Sequence, residues 1–267
     1  MKEQQIRDAA TLVALRDSPN GPELLMMERT GKAVFAGGCW VFPGGATEES
    51  DWDSAWKTHC DPPQGCHAES GICAKEQRAL RICAIREAIE EASIACTDPV
   101  PADSDIHALR DHLNSGEVQF IDWCERQQVR LPLDRLVLWS QWVTPKGEPR
   151  RFNARFYFAD FSQIDTRARA DGVEALATRW IRPADAIHEA ERNRFRLMPP
   201  TIRQLMEIRD FDSVASLLDW AATQQAVQPI LSRFRIRNGR FAGISLPGDA
   251  DYEDCVDEIP RELLQRA

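Results

Sequence analysis

Residues 75–92 contain neither Gly nor Pro, and Ile82, Ile85, Ile89 and Ala92 recur at steps of three and four. This is the apolar stripe of an amphipathic helix, in a stretch dominated by good helix formers. Upstream, residues 11–16 and 23–28 have the pattern of short strands, and Asn20-Gly21-Pro22 between them predicts a hairpin. Residues 35–42 lead into an expected turn at Phe42-Pro43-Gly44-Gly45. Residues 52–74 form a loop broken by Asp61-Pro62-Pro63 and Gln64-Gly65. Downstream, residues 103–127 are helical with a break near Asn114-Ser115-Gly116, and 136–143 and 150–161 are strands. A short strand at 178–181 precedes helices over 183–192, 201–209 and 212–224. A last hairpin turns at Asn238-Gly239. Strands alternating with helices predict an α/β fold.

Length and charge narrow the picture. At 267 residues the chain exceeds the usual domain size, yet one α/β domain with insertions fills it. No run approaches the 18 apolar residues of a membrane span. The polar start Met1-Lys2-Glu3-Gln4-Gln5 is unlike a secretory signal, and Gln265-Arg266-Ala267 is not a peroxisomal address of the Ser-Lys-Leu type. The expectation is a cytoplasmic protein without a membrane partner. A formal charge of −9 argues against a broad nucleic-acid surface, but leaves room for a small phosphate pocket. Cys39, Cys83 and Cys96 sit among apolar residues as small core groups. His59, Cys60, Cys66, His67 and Cys73 crowd the loop, as free thiols of a reducing compartment or as a structural zinc site.

The candidate chemistry lies on the first helix. At about 100° per residue, Glu87, Glu90 and Glu91 fall away from the apolar stripe, with neighbouring Cβ atoms. Such a face is either solvated surface, with Arg86 neutralising one Glu, or a site. Like charges at this spacing repel, and a hard divalent cation such as Mg²⁺ removes the conflict. The glycines upstream tilt the balance towards a site, because a backbone without Cβ atoms can approach a ligand closely. On the strand near 151–158, Phe152, Ala154, Phe156 and Phe158 share one face. Arg151, Asn153, Arg155 and Tyr157 share the other. Arg151 and Arg155 are candidate phosphate clamps, or surface groups on an exposed sheet face. Arg29 is a further candidate clamp. The run Arg233, Arg235, Arg237 and Arg240 is expected to be tail surface.

Gly45, Asp51 and the segment from Arg86 resemble the Nudix box, Gly-x5-Glu-x7-Arg-Glu-U-x-Glu-Glu-x-Gly-U, where U is apolar. Arg86, Glu87, Glu90, Glu91 and Ile94 match. Asp51 stands where the pattern has Glu, and Ser93 where it has Gly. About 27 extra residues separate Asp51 from Arg86. One branch of the Nudix superfamily carries such an interruption, the branch that includes the peroxisomal acyl-coenzyme A diphosphatase of animals. The flanks Val41-Phe42-Pro43-Gly44-Gly45, Leu80-Arg81-Ile82-Cys83-Ala84-Ile85, Trp142-Val143-Thr144-Pro145 and Arg151-Phe152-Asn153-Ala154-Arg155-Phe156 are similar to that branch as well.

The resemblance implies a Nudix-type α/β/α sandwich with a mixed curved sheet. It would be a single domain over residues 1–267, with an insertion at about 52–78 and a C-terminal extension from about 206. It implies a Mg²⁺-dependent (or Mn²⁺-dependent) hydrolase of a diphosphate linkage, with coenzyme A or acyl-CoA as substrate. ADP-ribose or a dinucleotide such as NADH is the first alternative. A non-catalytic nucleotide-binding or regulatory protein is the second. In this reading Glu87, Glu90, Glu91 and the Gly45 carbonyl hold metal, with Glu87 also a water-activating base oriented by Arg86. Glu174 is a further base or ligand, and Asp51 lends a contact behind the metal. Arg29, Gly44, Arg151 and Arg155 bind substrate. A homodimer is a family-based expectation.

Overall fold

The computed structural model describes residues 5–31, 36–62, 72–146, 148, 150–164, 167–224 and 226–258. In chain order the strands and helices are β1 (Ile6–Arg16), β2 (Glu23–Arg29), β3 (Trp40–Val41), β4 (Gly44–Ala46), α1 (Trp56–His59), β5 (Cys60–Asp61), α2 (Ala74–Ala92), α3 (Asp103–Ser115), α4 (Phe120–Gln127), β6 (Leu131–Pro132), β7 (Val137–Val143), β8 (Arg151–Asp160), β9 (Ala175–Ile181), α5 (Pro183–Glu191), α6 (Pro199–Ile208), α7 (Val214–Ala222), β10 (Pro229–Leu231), β11 (Arg233–Arg237) and β12 (Arg240–Ser245). A short 3-10 turn covers Glu49–Trp52.

The main sheet is mixed. Its order is β10-β7-β8-β1-β2-β3, with β4 added on β1 and β9 on β2. β1 runs parallel to β8 through ten residue pairs, and β10 runs parallel to β7, while the other pairs are antiparallel. One face carries α2, α3 and α4 over Ala10, Leu12, Ala14 and Tyr157. The other carries α5, α6 and α7 over Val13, Leu15, Met26 and Phe158. Alternation along β1 sends successive side chains into the two cores, so this strand is buried on both faces. The result is the expected α/β/α sandwich. Among the described residues no helix is long and apolar enough to cross a membrane.

Two readings need correction. The Gly-Gly segment is a strand rather than a turn, because Gly44 and Gly45 pair with Thr11 and Ala10 of β1. The polar side of β8 is no exposed sheet face. Arg155 and Tyr157 are buried beneath α2, with the Arg81 guanidinium 4.8 Å from the Tyr157 ring centre. The arginine run of the tail is surface, as expected: Arg237 and Arg240 are exposed, and the half-buried Arg235 and Arg233 pair with Asp251 and Glu253. Cys39, Cys83 and Cys96 are buried free thiols, as expected. Cys66 and His67 of the Cys/His-rich loop lie outside the described residues. Cys73 starts α2, its backbone N–H donating to the Glu76 carboxylate at 2.8 Å.

Candidate active site

Helix α2 places the carboxylates, and it does so while buried almost all round. Ile82, Ile85 and Ile89 enter the core as the stripe predicted, and Arg86 and Glu91 are buried with them. The helix can lie close to the sheet because small residues face it, Ala10 and Ala14 on β1 and the two glycines of β4. A Cβ on Gly44 would sit 2.7 Å from Thr11 Cα, and one on Gly45 would land on the Glu87 carboxylate, 2.5 Å from its Cδ. Gly44 is thus required by the closeness of β1, and Gly45 leaves the room that the Glu87 carboxylate of α2 fills; neither is needed for an unusual backbone angle.

The chain ends α2 with a residue in the left-handed conformation, Ser93 at φ 55°. A glycine would take this cap without cost. Ser93 is held there by its own side chain, which donates to the Arg169 carbonyl at 3.2 Å and accepts from Arg110 at 3.0 Å. The departure from the Nudix pattern is thus absorbed locally, and the helix stops where the pattern requires.

Arg86 is the hub of the site. Its Nε and Nη2 grip the two oxygens of Asp51, each at 3.0 Å, and its Nη1 donates to Glu87 at 3.0 Å and Glu90 at 2.7 Å. Asp51 is only 1% exposed. The 3-10 turn brings it there, and its carboxylate also accepts from the Glu48 N–H at 2.8 Å. The shorter side chain suffices because the turn supplies the missing reach. Arg29 comes from the opposite direction, 3.6 Å from Glu91 and 3.3 Å from Glu174. Glu91 itself accepts from the Gly44 N–H at 2.8 Å.

Strand phase decides which glycine carbonyl is open. Leu12 N–H donates to Pro43 O, so Ala10 and Gly45 form the next ladder-bonded pair and Gly44 is the residue between. The Gly44 N–H and C=O therefore point away from β1, towards the carboxylates. The Gly45 carbonyl, expected to be the ligand, is taken up within the fold, where it accepts from Cys83 Sγ at 3.5 Å. Of the other expected residues, Gly44, Arg29, Glu87, Glu90, Glu91 and Glu174 meet here. Arg151 donates to the carbonyls of Thr144 and Pro145, and Arg155 is drawn to Asp8 at 3.3 Å and to the start of α2. Neither is placed beside the glutamates. The importance of Asp51 was only partly legible: its position six residues after Gly45 is the signal, and its two-pronged grip on Arg86 is visible only in three dimensions.

The charge balance bears on a metal. Asp51, Glu87, Glu90 and Glu91 share two cations, Arg86 and Arg29. Burial, only partly offset by Arg86, pushes the Glu87 and Glu90 carboxyls up to about 7. Burial and the Glu87 charge push Glu91 well above the usual carboxylate range. Burial opposes the charge of Arg86, but Asp51 and Glu87 outweigh it and keep the guanidinium protonated. The donors are all oxygens, and they lack positive charge, so the chemistry fits a hard divalent cation. Among the described residues no three acidic, His or Cys side chains already converge on one point. Glu87 and Glu90 lean to Arg86, and Glu91 to Gly44 and Arg29.

This predicts a specific pH dependence of stability. The folded-state carboxyls of Glu87 and Glu90 lie above their ordinary value of 4.5. Their contribution is therefore fully present below about pH 4.5 and is lost as pH rises through about 7. Melting of the metal-free protein, followed by circular dichroism, should fall by several degrees between about pH 5.5 and 8. Millimolar Mg²⁺ should restore it at about pH 8 and do little at about 5.5. A Mg²⁺ effect of equal size at both values would show that these carboxyls do not titrate in this range.

The sandwich, the carboxylate helix α2 and the glycine strand define a Nudix fold. A crystal structure of a NUDIX hydrolase from Alicyclobacillus acidocaldarius matches it with a TM-score of 0.66 over 85% of this chain and 99% of that one, at 24% identity. The family model of the NUDT19 Nudix domain matches residues 64–209, more than half of the chain, and the chain belongs to this family. It is 27% identical to the acyl-coenzyme A diphosphatase NUDT19 of Gallus gallus, over 75% of this chain and 65% of that protein. It is 26% identical to the Homo sapiens protein of the same name, over 74% and 63%. The chain thus spans somewhat less than two thirds of the length of these relatives.

Proposed function

We propose that this protein is a divalent-cation-dependent diphosphatase acting on coenzyme A or acyl-CoA, releasing 3′,5′-ADP and 4′-phosphopantetheine or its acyl form. The observation that carries the reading is the set of desolvated carboxylates on α2, gathered against Gly44 by Arg86 and Asp51. The substrate class follows from the relatives named for acyl-coenzyme A diphosphatase activity.

Glu90 and Glu91, with Glu87 and the Gly44 carbonyl, would hold the cation, Mg²⁺ or in its place Mn²⁺. When bound, it supplies neutralisation of the charge that develops on the phosphoryl oxygens. Glu87, whose carboxyl burial pushes up, would act as the base that takes the proton of the attacking water. The water oxygen bonds to phosphorus, the bridging P–O bond breaks, and the departing phosphate carries the electron pair. Arg86 keeps Glu87 in place through its 3.0 Å hydrogen bond, and Asp51 keeps Arg86 in place. Arg29 faces the same space and clamps a phosphate of the substrate by charge-assisted hydrogen bonds. Glu174, mostly exposed beside Arg29, is the second candidate base.

The test is a substrate panel. The protein is incubated with CoA, acyl-CoAs, ADP-ribose and NADH, with Mg²⁺, Mn²⁺ or chelator, and the products are separated and weighed by mass spectrometry. Release of 3′,5′-ADP from CoA or acyl-CoA, only with the cation, is the expected result. Cleavage of ADP-ribose or NADH alone would overturn the substrate class. Inertness towards every compound would overturn the enzymatic reading in favour of a binding protein.

A further inference from the structure

Two guanidiniums stand among the site carboxylates, and they are held differently. Arg86 is anchored by four hydrogen bonds of 2.7–3.0 Å, two to Asp51 and one each to Glu87 and Glu90. Arg29 lies 3.3 Å from Glu174 and 3.6 Å from Glu91. Both distances exceed the roughly 2.7–2.9 Å of a good charge-assisted bond. Its Nε is buried and, among the described residues, has no hydrogen-bond partner.

The backbone around this loosely held side chain is firm. Arg29 N–H donates to Cys39 O at 2.9 Å, its carbonyl accepts from Gly38, and Thr30 N–H donates to Glu174 O at 2.9 Å. The pairing of β2 with β9 shifts register between Glu28 and Arg29, an irregularity of the kind that re-aims a side chain. The fold therefore fixes the root of Arg29 and leaves its head under-bonded between two carboxylates.

We infer that Arg29 is a resident cation, which holds the place between Glu91 and Glu174 in the metal-free protein and gives it up when a divalent cation binds. Glu91 is then balanced by a guanidinium from this protein, as Glu87 and Glu90 are by Arg86. With a cation in that place, the Arg29 donors would be free for the diphosphate. The inference rests on the metal-dependent reading above.

The test measures metal binding without substrate or turnover. Free Mn²⁺ is counted by electron paramagnetic resonance during titration of wild-type protein, Arg29→Gln, Arg29→Lys and the control Arg179→Gln. Arg179 lies exposed on β9, 6.0 Å from the Phe195 ring centre, on the other side of the sheet. Arg29→Gln is expected to bind Mn²⁺ about tenfold more tightly, because no guanidinium has to be displaced. Arg29→Lys should fall between Arg29→Gln and wild type, and gives the answer if the Gln variant does not fold. Arg179→Gln should match wild type. In wild-type protein, diamagnetic Mg²⁺ should also shift the Arg29 Nε–H resonance, identified by its loss in Arg29→Lys.

Unchanged or weaker Mn²⁺ binding in the Arg29 variants overturns the inference. So does equal tightening in Arg179→Gln, which would mean a long-range charge effect. If wild-type protein binds Mn²⁺ and cleaves its substrate in either case, the diphosphatase reading survives. If it binds no Mn²⁺ and cleaves nothing, both fall together.

Discussion

Glu91→Gln lowers turnover by about a thousandfold or more while the fold is kept. The stability half of this expectation comes from the burial of Glu91. Its carboxyl is pushed well above the ordinary range by burial and the Glu87 charge, so the folded protein already resists a negative charge there. A neutral amide of the same shape relieves that resistance. Its carbonyl oxygen can still accept the 2.8 Å hydrogen bond from Gly44. The activity half follows from the loss of an anionic ligand at the place where phosphoryl charge must be neutralised. About 4 kcal/mol of transition-state stabilisation corresponds to that thousandfold. Steady-state turnover at saturating Mg²⁺, alongside a melting curve, checks both halves. Activity within about tenfold of wild type in a folded variant would remove Glu91 from the metal set.

Arg86→Ala has the second large effect, and here stability and activity fall together. Asp51 is 1% exposed, and its two oxygens are matched by the two arms of Arg86. Removing the guanidinium strands a buried carboxylate, at a cost of about 3–5 kcal/mol. For a domain of this size that lowers the melting temperature by on the order of 10 °C. Arg86→Lys keeps the charge, but an ammonium cannot span Asp51, Glu87 and Glu90 at once, so turnover should remain low. The separating experiment replaces both partners, with Asp51→Leu and Arg86→Met in one chain. Two apolar groups of similar volume should recover most of the lost stability. They should recover no turnover, since Glu87 has lost its orienting partner. Recovery of activity in the double variant would show that the pair serves the fold alone.

The C-terminal cap of α2 shows how local rules and tertiary contacts divide the work. The pattern asks for Gly at position 93, and this chain has Ser93. The structure keeps the left-handed turn and holds the serine with Arg110 and the Arg169 carbonyl. Nothing in the residues next to Ser93 announces partners 17 and 76 positions away. The arginines of β8 teach the converse. Alternation correctly put Arg151, Asn153, Arg155 and Tyr157 on one side, but could not say that α2 would cover part of that side. Period alone distinguishes faces and does not tell what lies against them.

What the residues determined unaided is considerable. The 3.6-residue stripe marked α2, alternation marked the two faces of β8, short apolar runs bounded by turn residues marked β1, β2 and β7, and Gly45, Asp51, Arg86, Glu87, Glu90 and Glu91 marked the resemblance to the family and the candidate site. These features are local, so chain order suffices to show them. Tertiary structure alone decided which glycine faces the carboxylates, that Asp51 rather than solvent balances Arg86, and that Arg29 and Glu174 join the same cluster while Arg151 and Arg155 do not. Each depends on strand phase, register or the burial of a charge. Those quantities exist only once β4 lies on β1 and α2 has closed over both.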